Sequence, residues 1–163
     1  MGYWETKGRS DEWYTPQYIF DALGCTFDLD VSHPAGASTF VPAGDVYSEG
    51  SLEKPWHGFV WMNPPFGGRN GVVPWLARFA AHGNGIALVP DRTSAPWFQR
   101  FAPQMDTILF VSPKVKFVRP DGTVGASPSN GTALFGMGAR ACKALTSATR
   151  LGFVVSCKPK LEA

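Results

Sequence analysis

The chain has 163 residues, of which 44% are hydrophobic and 17% are charged, and its formal net charge is +2. This length fits one domain with a substantial core. No apolar run reaches the roughly 18 residues that a membrane span needs, and the first residues lack the apolar region of a signal peptide. We therefore expect a soluble, cytoplasmic protein.

The three cysteines are Cys25, Cys142 and Cys157. They are far apart, and neither a Cys-x-x-Cys pair nor a histidine cluster accompanies them. We expect reduced thiols and no metal site.

Charge is divided unevenly along the chain. Residues 1–66 hold three Lys or Arg against nine Asp or Glu, whereas residues 67–163 hold twelve against four. This asymmetry fits a cationic ligand held mainly by the first half and a polyanion held by the second. Chance segregation of surface charge is the alternative.

The N-terminal region predicts an arm followed by a helix. Residues 1–12 are polar and aperiodic, which favours a flexible arm ahead of a single domain over 13–163. Thr15 has the character of an N-cap and Pro16 that of a first helical residue, and Gly24 would end the helix.

Residues 27–31 alternate apolar and polar side chains, and the pattern breaks at 32–36. The alternation predicts the first strand, with Asp30 near its end. Residues 39–57 contain one short apolar piece and turn-like residues, among them Asp45.

The apolar run 59–62 predicts a buried strand that stops abruptly at Asn63. Pro64 and Pro65 follow, and because proline has no N–H and a fixed φ, the strand must end there. The Asn63 side-chain oxygen and the Pro64 carbonyl form a row of acceptors, with Phe66 beside them. Such a site suits an exocyclic amino group on a flat ring, on which Phe66 would stack. A strand with a proline-rich turn and no chemistry is the alternative.

The next segments repeat a strand and helix rhythm that predicts an α/β fold with parallel strands. The predicted elements are a basic loop at 67–71, a helix over 72–81, strands at 85–90 and 107–111, and a helix that starts at 96.

Beyond residue 111 the rhythm changes. Segments 114–119 and 132–137 flank a loop of small and polar residues, which predicts a C-terminal hairpin with a long tip. Lys114, Lys116 and Arg119 would form a basic edge for phosphates, although lysines also protect edge strands from aggregation. A short helix over 140–148 and a last strand at 151–155 complete the chain.

The tetrad 63–66 matches the Asn/Asp-Pro-Pro-aromatic motif of amino methyltransferases. Residues 11–138 as a whole resemble the small phage-encoded DNA N-6-adenine methyltransferases. The resemblance rests on 13–16, 27–31, Trp56, the tetrad and 114–117, in that order.

The resemblance implies a Rossmann-like methyltransferase sheet, S-adenosylmethionine as cofactor and double-stranded DNA with a flipped adenine as substrate. It also implies site residues. Catalysis would fall to Asn63, Pro64, Pro65 and Phe66, cofactor binding to Tyr14, Thr15, Pro16, Asp30 and Asp45, and DNA binding to Arg69, Lys114, Lys116 and Arg119. The sequence departs from related enzymes in the loop after Asp30, where only Gly36 remains of a glycine-rich pattern.

Two other functions stay open at this point. One is methylation of an amino group in RNA or of a protein glutamine, because both use similar sites. The other is a nucleic-acid-binding module that has lost its cofactor, which the sparse glycine loop would fit.

Overall fold

The computed structural model describes residues 13–65 and 71–157. Within these ranges the chain forms a mixed α/β fold with a seven-stranded sheet in the order β2-β1-β3-β4-β6-β5-β7. The helices are α1 (Gln17–Leu23), α2 (Val73–His82), α3 (Pro96–Phe101) and α4 (Ala139–Ser147). The strands are β1 (Phe27–Asp30), β2 (Ala43–Val46), β3 (Val60–Met62), β4 (Gly85–Pro90), β5 (Thr107–Val111), β6 (Thr132–Met137) and β7 (Gly152–Ser156).

Apolar side chains cover both faces of the sheet. One core lies between the sheet and α2 with α3, where Leu76, Phe79 and Phe98 pack. The other lies between the sheet and α1 with α4 and includes Phe20 and Leu145. The result is three layers, with two helices on each face of the sheet.

Strand directions divide the sheet. The neighbours β2, β1, β3 and β4 are parallel, as the strand and helix rhythm predicted. β6 is antiparallel to both β4 and β5, and β7 is antiparallel to β5. The carboxyl ends of the parallel strands therefore lie at one edge, called here the carboxyl edge, where the connection 112–131 between β5 and β6 also lies.

The predicted pairing of 114–119 with 132–137 is wrong. β6 instead enters the sheet between β4 and β5, because five of its six residues are buried and need cover on both faces. Segment 114–119 forms no named strand. It contributes one bridging residue, Val118, which pairs with Tyr14 and with Val124. Exposed lysines at 114 and 116 are incompatible with the middle of a covered sheet.

Two local predictions also need correction. No strand was predicted at β2, where only turn-like residues such as Asp45 were noted, but pairing with β1 in the register Phe27 to Ala43 makes it an edge strand. Thr15 does not cap α1. Pro16 is the N-cap residue, and no side-chain hydrogen bond caps the helix. Gly24 does end α1, at a φ of 60°.

A glycine allows two central strands to approach each other. A Cβ at Gly85 would overlap the carbonyl oxygen and side chain of Val60 on β3. We expect Gly85→Ala to lower the free energy of unfolding by about 1–3 kcal/mol, as overpacking of a core does. Urea unfolding followed by circular dichroism measures the change.

Gly44→Ala is the matched control, because its added Cβ would meet only the Asp28 carbonyl oxygen, at 3.7 Å. Equal destabilisation by both substitutions would show that close approach at Gly85 is not the cause.

Candidate active site

Polar residues follow three neighbouring parallel strands at the carboxyl edge. Asp30 ends β1, Asn63 follows β3 and Asp91 follows β4. Ligands of open α/β sheets bind in the crevice outside the carboxyl ends of the strands. This edge is therefore the candidate site.

Asn63 is held at two points. Its backbone N–H donates to Ser32 Oγ at 2.8 Å. Its side-chain Nδ2 donates to Thr15 Oγ1 at 3.2 Å. No described residue donates to Asn63 Oδ1, so the amide oxygen is available as an acceptor.

The two prolines differ in exposure. Pro64 is buried, whereas Pro65 is exposed. Neither has an N–H, and the Pro64 carbonyl accepts no hydrogen bond from the described part of the chain. Phe66 and Arg69, both predicted site residues, lie outside the described residues.

Asp30 is a buried carboxylate, with 2% of the residue exposed. Its Oδ1 accepts from the Ser32 N–H at 3.1 Å, and the Ser32 hydroxyl lies 3.4 Å from the same oxygen. Burial raises the pKa of Asp30, and the hydrogen bonds from Ser32 and His33 partly offset that rise.

His33 connects the Asp30 carboxyl group with the Ala37 carbonyl. His33 Nε2 lies 2.9 Å from the Ala37 carbonyl, which can only accept, so Nε2 carries a hydrogen. His33 Nδ1 lies 3.1 Å from Asp30 Oδ2, and a hydrogen bond there requires one more proton, on the nitrogen or on the carboxyl.

A small pocket adjoins these groups. It combines aromatic walls with hydroxyl, carboxyl and amide groups, and its lining includes Trp13, Tyr14, Thr15, Asp30, Ser32, Pro34, Thr39, Val41, Trp61 and Asn63.

Of the predicted cofactor residues, the structure brings Tyr14, Thr15 and Asp30 together with Asn63 in this pocket. Asp45 does not line it. Asp45 is an exposed residue of β2, with Oδ1 bonded to the Val46 N–H and Oδ2 3.3 Å from His57. Pro16 stands at the start of α1, directly after Thr15.

Three of the four predicted DNA-binding residues, Lys114, Lys116 and Arg119, lie in the 112–131 connection, at the same edge as Asn63. Lys114 donates to the carbonyls of Pro128 and Ser129, and so ties the connection together. The Arg119 guanidinium lies 5.0 Å from the ring centre of Trp13. Lys116 is exposed, and its side chain forms no hydrogen bond or ion pair with the described residues.

Sequence reasoning missed Ser32 and gave His33 no role. In the sequence these two residues are distinguished only by their position, two and three places after Asp30, the aspartate that ends β1. The contact from Ser32 to Asn63 spans 31 residues and has no local sequence pattern.

The fold and site together define an α/β enzyme with a polar pocket at the carboxyl edge of its sheet. The sequence matches the family DNA N-6-adenine-methyltransferase (Dam) over residues 5–144. The chain belongs to this family and is a DNA N-6-adenine methyltransferase, a transferase that acts on DNA. This assignment favours DNA over RNA or protein glutamine, and an enzyme over a binding module without activity.

Searches of curated proteins and of solved structures gave no significant match. Among the described residues, no helix is long and apolar enough to cross a membrane. Within the described ranges, Cys25, Cys142 and Cys157 form no disulfide bond.

The raised pKa of Asp30 predicts a pH-dependent stability. The folded state holds the proton more tightly than the unfolded state, whose aspartate has a pKa near 3.8. The stabilisation of the folded state by protonation of Asp30 is therefore complete below pH 3.8 and is lost as pH rises through the raised pKa of Asp30. Each tenfold difference in proton affinity between the two states corresponds to about 1.4 kcal/mol. Urea unfolding of the wild type and of Asp30→Asn across this window measures the loss.

We expect the stability of the wild type, relative to Asp30→Asn, to fall as pH rises. The two proteins share every other titrating group, so their difference isolates Asp30 with its partner His33. A constant or rising difference would contradict the raised pKa.

Proposed function

We propose that the enzyme methylates the exocyclic amine of adenine with Asn63 as its central catalytic residue. The observation that carries the proposal is the orientation of the Asn63 amide. Its nitrogen is bonded to Thr15, which leaves the oxygen as an acceptor at the end of a buried strand. An adenine amine has two hydrogens to donate, so it matches this oxygen.

The Pro64 carbonyl is the second acceptor in this proposal. The lone pair of the adenine amine is delocalised into the ring, which makes the nitrogen a poor nucleophile. Two acceptors that hold its two hydrogens would favour a tetrahedral nitrogen and aim its lone pair at the methyl group. Phe66 would stack on the adenine ring, a contact worth about 1–3 kcal/mol per base.

The pocket of Tyr14, Thr15 and Asp30 fits S-adenosylmethionine in its chemistry. The cofactor carries a sulfonium and an ammonium group, and a flat adenine. A cation near Asp30 would stabilise the ionised carboxylate, whose pKa burial otherwise raises. The aromatic walls offer faces for a flat ring. When bound, S-adenosylmethionine supplies an electrophilic methyl group.

Asp45 and Pro16 remain proposed cofactor residues with less support. Pro16 reaches the site through its neighbour Thr15. Asp45 lies on the edge strand next to β1 but contacts His57, so a cofactor contact would require its side chain to turn.

We also propose a Rossmann-like methyltransferase sheet in a single domain over 13–163, with 1–12 as an arm. Four adjacent parallel strands and a site at their carboxyl ends support this assignment.

A base within a duplex cannot reach a pocket at the carboxyl edge, so the target adenine would flip out of the helix. Phosphates beside the flipped base would meet Lys116, an exposed cation of the 112–131 connection whose side chain has no partner among the described residues. Arg69 would add a second contact. Lys114 and Arg119 would act by stabilising the conformation of the connection. The Lys114 side chain is hydrogen-bonded within it, and that of Arg119 contacts both Thr123 and the Trp13 ring.

Removing the amide tests the catalytic assignment. We expect Asn63→Ala to abolish transfer of tritiated methyl from S-adenosylmethionine to unmethylated DNA, because the amine loses its acceptor. Digestion of the DNA to nucleosides should place the wild-type label in N-6-methyladenosine, and a parallel assay on RNA should give none.

Asn84→Ala is the matched control, because it removes the same group beside the amino end of β4, at the opposite edge of the sheet. Strong residual transfer by Asn63→Ala would contradict the assigned role.

Lys116→Ala should weaken DNA binding. If Lys116 neutralises one phosphate, the slope of log K against log salt should become shallower by about 0.9. Fluorescence anisotropy of a labelled duplex at several salt concentrations measures both values.

Lys143→Ala removes the same charge from the exposed face of α4, away from the carboxyl edge, and should leave the slope as it is. Identical slopes for Lys116→Ala and the wild type would remove Lys116 from the interface.

A further inference from the structure

We propose that Thr15 is a positioning residue for methyl transfer. In this inference, which rests on the function proposed above, the Thr15 hydroxyl and the Ser32 hydroxyl form a two-point clamp that aims the Asn63 amide oxygen at the substrate amine. Thr15 thereby has a task separate from cofactor binding.

The first point of the clamp fixes the side chain. Asn63 Nδ2 donates to Thr15 Oγ1 at 3.2 Å, a contact that joins residues 48 positions apart. The amide group has an acceptor at one end and a donor at the other. The Thr15 hydroxyl can accept a hydrogen bond, whereas an adenine amine can only donate one. Both partners are therefore satisfied in one orientation of the Asn63 amide alone, with its nitrogen toward Thr15 and its oxygen toward the amine.

The second point fixes the backbone. The Asn63 N–H donates to Ser32 Oγ at 2.8 Å, and Ser32 is tied to the buried Asp30 carboxylate through its own N–H at 3.1 Å. Asp30 is in turn held by His33. Since β3 ends at Met62, these bonds hold Asn63 at the point where the sheet ladder no longer does.

Thr15 is itself rigidly placed. It is 4% exposed, and its neighbour Tyr14 exchanges two backbone hydrogen bonds with Val118, of 2.7 Å and 2.9 Å. On its other side, Pro16 restricts the backbone of Thr15 to extended conformations. The hydroxyl also caps no helix, so its one hydrogen bond in the described structure is with Asn63.

Replacement of the hydroxyl by a methyl group of similar size tests the clamp. We expect Thr15→Val to lower kcat about 10- to 100-fold, as small displacements of a reacting group do. The Kd for S-adenosylmethionine, measured by calorimetry without DNA, should change by a smaller factor than kcat, because Thr15→Val leaves Tyr14 and Asp30 in the pocket. Thr15→Ser keeps the hydroxyl and should recover most of the lost kcat.

Other outcomes overturn the inference. A weaker Kd for S-adenosylmethionine with wild-type kcat would make Thr15 a cofactor contact, and wild-type values for both would leave it no role. Equal loss of kcat in Thr15→Ser and Thr15→Val would assign the effect to packing. Thermal unfolding of each variant shows whether the protein is folded.

Asn63→Ala, measured in the same series, separates this inference from the proposed function. If Asn63→Ala is inactive and Thr15→Val is normal, the clamp alone fails. If Asn63→Ala is active, the catalytic assignment itself fails.

Discussion

The strand β3 has no exposed face, and this constraint determines where Asn63, the proposed catalytic residue, leaves the sheet. Val60, Trp61 and Met62 are each at most 1% exposed, so the strand must lie in the interior of the sheet between β1 and β4. The residue after it then emerges at the carboxyl edge. Two prolines prevent the strand from continuing, so Asn63 leaves the ladder and its amide is held by side chains from other segments.

Those side chains connect the three parts of the site. Thr15 comes from the segment before α1, Ser32 from the turn after β1, and Asn63 from the end of β3. The basic connection 112–131 joins the same assembly, because Val118 pairs with Tyr14. The segments that we propose for cofactor binding, catalysis and DNA binding are thus in direct contact, although they are dispersed along the sequence.

Local patterns predicted much of this architecture. Apolar runs identified β3, β4 and β5, because burial on both faces leaves a clear sequence signal, and the alternation of apolar and polar residues identified β1. The strand ends identified Asp30 and Asn63. The predicted pairing of β6 was wrong, because the apolar residues of a strand predict its burial but not which strands it pairs with. Thr15 was assigned to a helix cap because local rules describe adjacent residues, whereas its partner is 48 positions away. The contact of Ser32 with Asn63 escaped prediction for the same reason.

The placement of β6 has a consequence for the timing of synthesis. β6 is sixth in chain order but lies between β4 and β5 in the sheet. A ribosome-bound chain that has not yet emerged beyond residue 131 lacks an interior strand, and β5 then has no partner that could join it to β4. The carboxyl edge therefore cannot take its final shape until β6 has been synthesised. A product of synthesis interrupted before β6 would lack the interior strand that holds β5, and with it the start of the 112–131 connection, beside β4.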